Sequence, residues 1–424
     1  MRFVSTRGQS PPVRFREALL NGLAPDGGLY LPESLDRLPP ESLRARSLLE
    51  IGELFGGALI GDDIAAPALS RILSDALNFP LPLVALGDRL HVLELFHGPT
   101  FAFKDVGARV MARLMAHVND ADRPLTVLVA TSGDTGSAVA QAFFGVPGTR
   151  VVVLFPEGAV TPVQEAQFTT LGGNVQALSV AGTFDDCQRL AKEAFSDRAL
   201  ADAVRLTSAN SINIGRLIPQ AFYYAYVTAQ LDGRPVAVSV PSGNVGNLTA
   251  GVLAWSLGAP IHAFVAGMTI NDTFARYLQT GHYEPRPSVP TLANAMDVGN
   301  PSNVERLRAL FGDDVAAMRR TIGAHVYTDP DVTSAIRRVN TEYGYVCDPH
   351  TAIGFLGTAA IPDDVTKVFL STAHPAKFRE TVEPLIGREV PLPPALAEAI
   401  AKPRIVDRIP PELAVLREVL LSAH

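Results

Sequence analysis

Short apolar runs alternate along this chain with longer stretches whose apolar positions recur every three or four residues. Leu125–Ala130 (LTVLVA), 151–155, 236–240 (VAVSV), 261–266 and 368–370 are of the first kind. Runs apolar on both faces predict parallel strands covered by helices. Periodic stretches at 137–144 and 248–257 predict helices, each entered through a glycine-containing turn. The turns are Thr131-Ser132-Gly133-Asp134-Thr135-Gly136 and Pro241-Ser242-Gly243-Asn244-Val245-Gly246-Asn247. The chain therefore holds two strand–SGxxG–helix–strand units. Parallel neighbours need such crossovers, so the pattern predicts an α/β fold.

The flanking pattern divides the chain. Residues 1–85 read as an N-terminal unit punctuated by Pro25-Asp26-Gly27-Gly28 and Leu38-Pro39-Pro40, with helical patterns at 41–55 and 64–77. A catalytic core, 86–424, opens near Leu83 after Asn78-Phe79-Pro80-Leu81-Pro82. Within it Thr161-Pro162-Val163-Gln164 is a helix start, with Thr as N-cap and Pro at the first position. Thr183 with Asp186 starts another helix, running to about Phe195. Residues 206–216 read as a polar turn before an aromatic helix at 221–231. Residues 285–301 form a loop, helices follow at 303–311 and 332–342, and an amphipathic tail begins at Pro411.

Composition narrows the class. A length of 424 residues with 47% hydrophobic and 19% charged residues supplies a large core and argues against extensive disorder. A net charge of −7 without a long basic run argues against nucleic acid as a partner. The N-terminus lacks the apolar stretch of a secretory signal. Residues 234–272 carry no Asp, Glu, Lys or Arg between their ends, but Pro and Gly break the run, so it reads as a buried unit and not a membrane span. Cys187 and Cys347 form no CxxC pair or disulfide framework, which fits reducing cytoplasm. The nine histidines show no metal-ligand spacing, and there is no Walker A or GxGxxG motif.

The chemistry concentrates at Lys104, within His97-Gly98-Pro99-Thr100-Phe101-Ala102-Phe103-Lys104-Asp105. Phe101 and Phe103 carry it toward an apolar interior. A buried ammonium is costly, so such a lysine tends to lose its proton or to form a Schiff base with a carbonyl group. The plainer alternative is a helix-start lysine paired with Asp105. The two glycine turns weigh on the choice, because helix N-termini with close-approaching backbone bind anions. Two anion sites and a buried lysine suit pyridoxal phosphate (PLP) in one turn and a substrate carboxylate in the other.

These residues resemble the threonine synthases, PLP enzymes of fold type II. The matching segments are APDGGLYLP (24–32), HGPTFAFKD (97–105), TSGDTG (131–136), TPVQEAQF through LGGN (161–174), SANSIN (208–213), PSGNVGN (241–247), NAMDVGNPSN (294–303) and STAHPAKF (371–378). The resemblance implies two open, mostly parallel twisted sheets flanked by helices, plus an N-terminal unit. It implies conversion of O-phospho-L-homoserine and water to L-threonine and phosphate, with no nucleic-acid or membrane partner. Lys104 would be the Schiff-base lysine. Ser242, Gly243, Asn244, Val245, Gly246 and Asn247 would hold the cofactor phosphate, and Thr372 would approach the pyridine nitrogen. Asp134 would lie near the phenolic oxygen, and Thr131, Ser132, Gly133 and Thr135 would face the substrate carboxylate. Val245 stands where the family often has an aromatic and Asn247 where it often has Asp.

The substrate phosphate needs separate donors. Candidates are Ser208, Asn210, Asn213, Arg216 and Lys377, since an Arg offers a bidentate fork. Alternatively, the two Asn residues stabilise a turn and Arg216 is a surface helix residue. His97 and His374 flank the site, either as orienting groups or as scaffold. Two rival readings stay open: a serine/threonine dehydratase or O-acetylserine sulfhydrylase of the same fold, and a non-catalytic metabolite-binding relative.

Overall fold

The structure is a computed structural model describing residues 1–120, 124–231 and 234–422. Both strand–turn–helix–strand units are present, each in its own sheet. Leu125–Ala130 pairs in parallel with Thr149–Pro156 and Leu206–Ser208, and the five-stranded sheet is completed by Val175–Val180 and Asp407–Ile409. Val236–Pro241 pairs in parallel with Ile261–Met268 and Thr366–Ser371 in a six-stranded sheet. Ile322–Val326 and Leu90–Glu94 extend it, and Leu83–Ala85 adds the one antiparallel edge. The two central strands are buried at every position, as their unbroken apolar composition requires.

Several helix starts follow the capping chemistry in the sequence. Pro162–Thr169 begins where the Thr161 side chain accepts from the Gln164 amide at 3.3 Å. Phe184–Ser196 begins on a reciprocal Thr183–Asp186 capping box. Other expectations need correction. The helix expected over 41–55 starts at Leu48, where Ser47 and Glu50 form a capping box, and Pro40–Leu43 is only a 3₁₀ turn. The polar segment 206–216 contains the edge strand Leu206–Ser208, and the aromatic helix runs over Ile214–Gln230. Pro219 inside that helix lacks an amide to donate, which makes its first turns unrecognisable from pattern alone.

The N-terminal residues form a three-stranded antiparallel sheet, Val13–Arg14, Arg2–Ser5 and Tyr30–Pro32, which the sequence reading did not anticipate. Phe3, Phe15, Leu19 and Tyr30 share one hydrophobic cluster with Met111 and Ile214 of the central helices. The tail helix Leu413–Leu421 buries Leu416 and Leu420 against the five-stranded sheet's side of the molecule. Among the described residues no helix is long and apolar enough to cross a membrane.

Candidate active site

The two glycine turns follow the C-terminal ends of their strands, where open parallel sheets offer a crevice for ligands. One cavity of about 1620 Å³ receives both turns together with Lys104 and Thr372.

Lys104 is the first residue of helix Lys104–Val118. A short antiparallel contact brings it to the end of strand Thr366–Ser371: the Phe103 amide donates to Thr372 O at 2.8 Å and the His374 amide to Phe101 O at 3.1 Å. The Lys104 side chain is 14% exposed, with Nζ 3.9 Å from Asp134 Oδ2. Asp105 is not its partner. That carboxylate accepts instead from the Thr100 amide at 2.8 Å and the Thr100 hydroxyl at 2.7 Å. Burial draws the Lys104 pKa down to about 8; Asp134 opposes the shift, while Lys377 and Arg216 add to it. Burial disfavours ionised Asp134, yet the Lys377 and Lys104 ammonium groups hold its pKa well below the usual carboxylate range. Asp134 also accepts from Gln164 Nε2 at 2.8 Å.

In the first turn, Thr131 Oγ1 accepts from the amides of Gly133 at 2.9 Å and Gly136 at 2.8 Å. Gly133 has φ 144°, and a Cβ there would lie 2.6 Å from Gln164 Oε1. Thr131 and Gly133 thus shape the turn; Thr131, Ser132, Asp134 and Thr135 line the cavity, and Gly133 does not. In the second turn Val245 takes φ 47°, and helix Gly246–Ser256 begins at once. The first intrahelical amide bond beyond the turn is Thr249 N to Val245 O at 2.9 Å, so the preceding helical amides point out of the N-terminus. Residues 242–247 all line the cavity. Asn247 Oδ1 accepts from the hydroxyls of Tyr223 at 2.5 Å and Tyr224 at 2.7 Å, which leaves its buried Nδ2 without a protein partner.

The phosphate candidates separate into two groups. Ser208, Asn210 and Arg216 line the cavity. Arg216 is buried, contrary to a surface placement; Nη1 donates to Ala209 O at 2.7 Å, while Nε has no protein partner. Burial lowers its pKa to about 10, so it stays charged. Asn213 and Lys377 depart from the expectation and sit behind the wall. Asn213 caps helix Ile214–Gln230 and donates to Leu19 O at 2.8 Å and Ser208 O at 2.9 Å. Lys377 is fully buried on Asp134 Oδ1 at 2.6 Å and Thr100 O at 2.9 Å.

Neither of the flanking histidines lines the cavity. His97 Nε2 meets Glu94 Oε2 at 2.6 Å. His374 Nδ1 accepts from the Ala376 amide at 3.1 Å, and burial, with His97 nearby, draws its pKa down to about 4. The sequence reading missed His350, which does line the cavity. Its Nε2 accepts from the Ala295 amide at 3.2 Å, so Nδ1 carries the proton toward Asp348 Oδ2 at 2.6 Å. The Asp348-Pro349-His350 spacing, with Asp as N-cap and Pro at the first helical position, was the available signal. Gln164, which the sequence places only within a helix start, also holds Asp134, a contact that no local pattern signals.

The donor set fits PLP. An amine of lowered pKa, a glycine turn at a helix N-terminus, an unpaired buried amide donor at Asn247 and a hydroxyl at Thr372 share one cavity. Those are the complements of an aldehyde, a phosphate and a pyridine nitrogen.

Comparison with known proteins agrees with this geometry. A family model described as "Pyridoxal-phosphate dependent enzyme" matches residues 78–372, one described as "Threonine synthase N terminus" matches 2–77, and one described as "Threonine synthase, C-terminal" matches 351–420. The threonine synthase of Haemophilus influenzae is 42% identical, covering 100% of both chains. The crystal structure of threonine synthase from Escherichia coli superposes with a TM-score of 0.94 at 39% identity, covering 100% of both chains. A PLP-bound threonine synthase from Brucella melitensis gives a TM-score of 0.93 at 37% identity, covering 99% of this chain and 98% of that one.

Proposed function

The chain belongs to the threonine synthase family of PLP-dependent enzymes, and on that premise we propose that it converts O-phospho-L-homoserine and water into L-threonine and phosphate, with Lys104 as the residue that carries the cofactor and moves protons. One observation supports this most: the Lys104 amine, its pKa drawn to about 8, opens onto the same cavity as the anion-binding turn 242–247. At pH 7 roughly a tenth of such an amine is neutral, against about one part in a few thousand for an exposed lysine. That is a usable base for proton transfer near neutrality.

The cofactor, when bound, supplies an electron sink for carbanions beside the substrate amine. The chain's own residues do the rest. The amides ahead of Thr249 and the Asn247 amide would hold the cofactor phosphate, with Ser242, Gly243, Asn244, Val245 and Gly246 forming the cradle. Thr372 would present a neutral hydroxyl to the pyridine nitrogen, and Asp134, kept ionised by Lys377, would set the charge beside Lys104. Ser132 and Thr135 would receive the substrate carboxylate at the start of helix Asp134–Phe143. Arg216, with Asn210 and Ser208, is our assignment for the substrate phosphate, because it lines the cavity, keeps a buried Nε without a protein partner and forms no ion pair among the described residues. A dehydratase or sulfhydrylase of this fold needs no such second anion site.

We also assign residues 1–85 to an N-terminal unit and 86–424 to the catalytic core. We place the protein in the cytoplasm, in keeping with Cys187 and Cys347 both buried as free thiols. The test has two parts. Borohydride reduction of the loaded enzyme followed by peptide mass spectrometry must find the cofactor on Lys104. Phosphohomoserine must then release phosphate and yield threonine in equal amounts; label on another residue, or phosphate release without threonine, overturns the assignment.

A further inference from the structure

Arg306 is among the largest fully buried side chains, and it faces neutral oxygens only. Its Nε donates to Tyr30 O at 3.1 Å, Nη2 to Ile212 O at 2.6 Å, and Nη1 to Ser211 O at 2.9 Å and Asn303 Oδ1 at 2.8 Å. Among the described residues it forms no ion pair. A guanidinium in such a place carries a large desolvation cost, offset here by four charge-assisted hydrogen bonds. Stabilising three backbone carbonyls alone would not require a positive charge.

Two of the residues that Arg306 gathers, Ser211 and Asn303, meet one residue of the second glycine turn. Asn244 Nδ2 donates to Ser211 Oγ at 2.6 Å, its Oδ1 accepts from the Ser302 amide at 2.6 Å, and its carbonyl accepts from Asn303 Nδ2 at 3.3 Å. Both ends of the Asn244 side chain and its carbonyl are thereby fixed. Gly246 is part of the same contact: a Cβ there would lie 3.2 Å from Asn303 Nδ2 and 3.3 Å from Ser211 Cβ. Tyr30 belongs to the N-terminal sheet, Ser211 and Ile212 follow a strand of the five-stranded sheet, and Asn244 follows a strand of the six-stranded sheet. One side chain therefore ties all three sheets to the turn.

We propose that Arg306 is a positioning residue for phosphate recognition: by holding Ser211 and Asn303 against Asn244, it sets the amides of turn 242–247 in their anion-binding geometry before the anion arrives. The proposal rests on the assignment of that turn to the cofactor phosphate. A preformed donor array binds its anion without reorganisation, so loosening the array weakens binding of the phosphate selectively.

The discriminating measurement compares PLP with pyridoxal, which lacks the phosphate, in equilibrium titrations of the full-length chain freed of cofactor. The parent protein is expected to prefer PLP strongly. Arg306→Lys, which keeps a charge but loses the fork, lowers that preference about tenfold or more, in line with the effect of supporting hydrogen bonds on other bound groups. Asn303→Ala lowers it in the same direction by a smaller factor. Both variants still take the borohydride label at Lys104. If both keep the parent's preference for PLP while only their thermal stability falls, Arg306 is a structural residue and the proposal is wrong. If Arg306→Lys does not fold, the ratio in Asn303→Ala decides alone. A parent protein that binds pyridoxal as tightly as PLP overturns the assignment of the turn itself, and the two failures are thus told apart.

Discussion

Lys377 Nζ lies 2.6 Å from Asp134 Oδ1, whereas Lys104 Nζ stands 3.9 Å from the other oxygen of the same carboxylate. Asp134 is therefore committed first to Lys377, which has no other role at the cavity surface. The arrangement leaves Lys104 less firmly protonated than a lysine with a carboxylate of its own. Lys377→Met should reverse this. Asp134 then turns to Lys104, and the loss of a neighbouring cation also raises the Lys104 pKa above about 8. The rate at which the cofactor-free chain captures PLP, followed against pH, is expected to have its midpoint moved upward. Stability to urea should fall by about 3–5 kcal/mol, the usual result of breaking a buried pair. An unmoved midpoint would show that Lys377 does not tune Lys104.

Asp105 gives a pH test of a different sign. Burial pushes its pKa up to about 6, although the Thr100 hydrogen bonds, Lys377 and Arg109 pull the other way. A carboxyl whose folded pKa is raised binds its proton more tightly in the native state, so this group destabilises the protein as pH rises from the unfolded value toward about 6. Asp105→Asn removes the ionisation. Between pH 4 and pH 8 the stability difference should move in favour of the variant, on the order of 2 kcal/mol. Denaturant titrations of both proteins at the two pH values measure it, and a difference independent of pH would count against burial as the cause.

Gly133 tests the first turn. Its φ of 144° is closed to ordinary side chains, and an added Cβ would lie within 2.7 Å of three Gln164 side-chain atoms. Gly133→Ala should cost about 1–3 kcal/mol. It should also displace the Gln164 side chain from Asp134, which it now meets at 2.8 Å. Thermal denaturation reads the first effect. The second appears as weaker cofactor binding, partly reproduced by Gln164→Ala on an unstrained backbone. A Gly133→Ala protein as stable as the parent would mean that the turn relaxes freely.

Why some of this was legible in the sequence and some was not follows from the range of the interactions. The parallel strands were readable because burial on both faces leaves no polar position, as at Leu125–Ala130. Thr161 and Thr183 were readable as helix starts because a cap acts over three residues. The N-terminal sheet was not, since Val13–Arg14 and Tyr30–Pro32 are too short to show alternation. At the site, Lys104 and both glycine turns are local motifs. Lys377 on Asp134, and Arg306 on the 211–212 carbonyls, are long-range pairings of polar residues. Lys377 stands out in the sequence only through the STAHPAKF segment, as a candidate phosphate donor, and neither pairing leaves a signature in its own neighbourhood.

Arg216 remains the sharpest test of substrate choice. It is 2% exposed, lines the cavity, and donates from Nη1 to Ala209 O at 2.7 Å. The unpaired Nε is a buried donor of the kind that a phosphate oxygen satisfies. Arg216→Ala should therefore raise the phosphohomoserine KM about tenfold or more, the loss of one charge-assisted bond in a dry site. PLP affinity should change far less, because the cofactor phosphate is assigned to turn 242–247. Arg216→Lys should fall between the two, since it restores charge without the planar fork. Steady-state kinetics alongside PLP titration separates these effects. A KM equal to the parent's, with PLP affinity lost instead, would move Arg216 from the substrate to the cofactor and leave the substrate phosphate to Asn210 and Ser208.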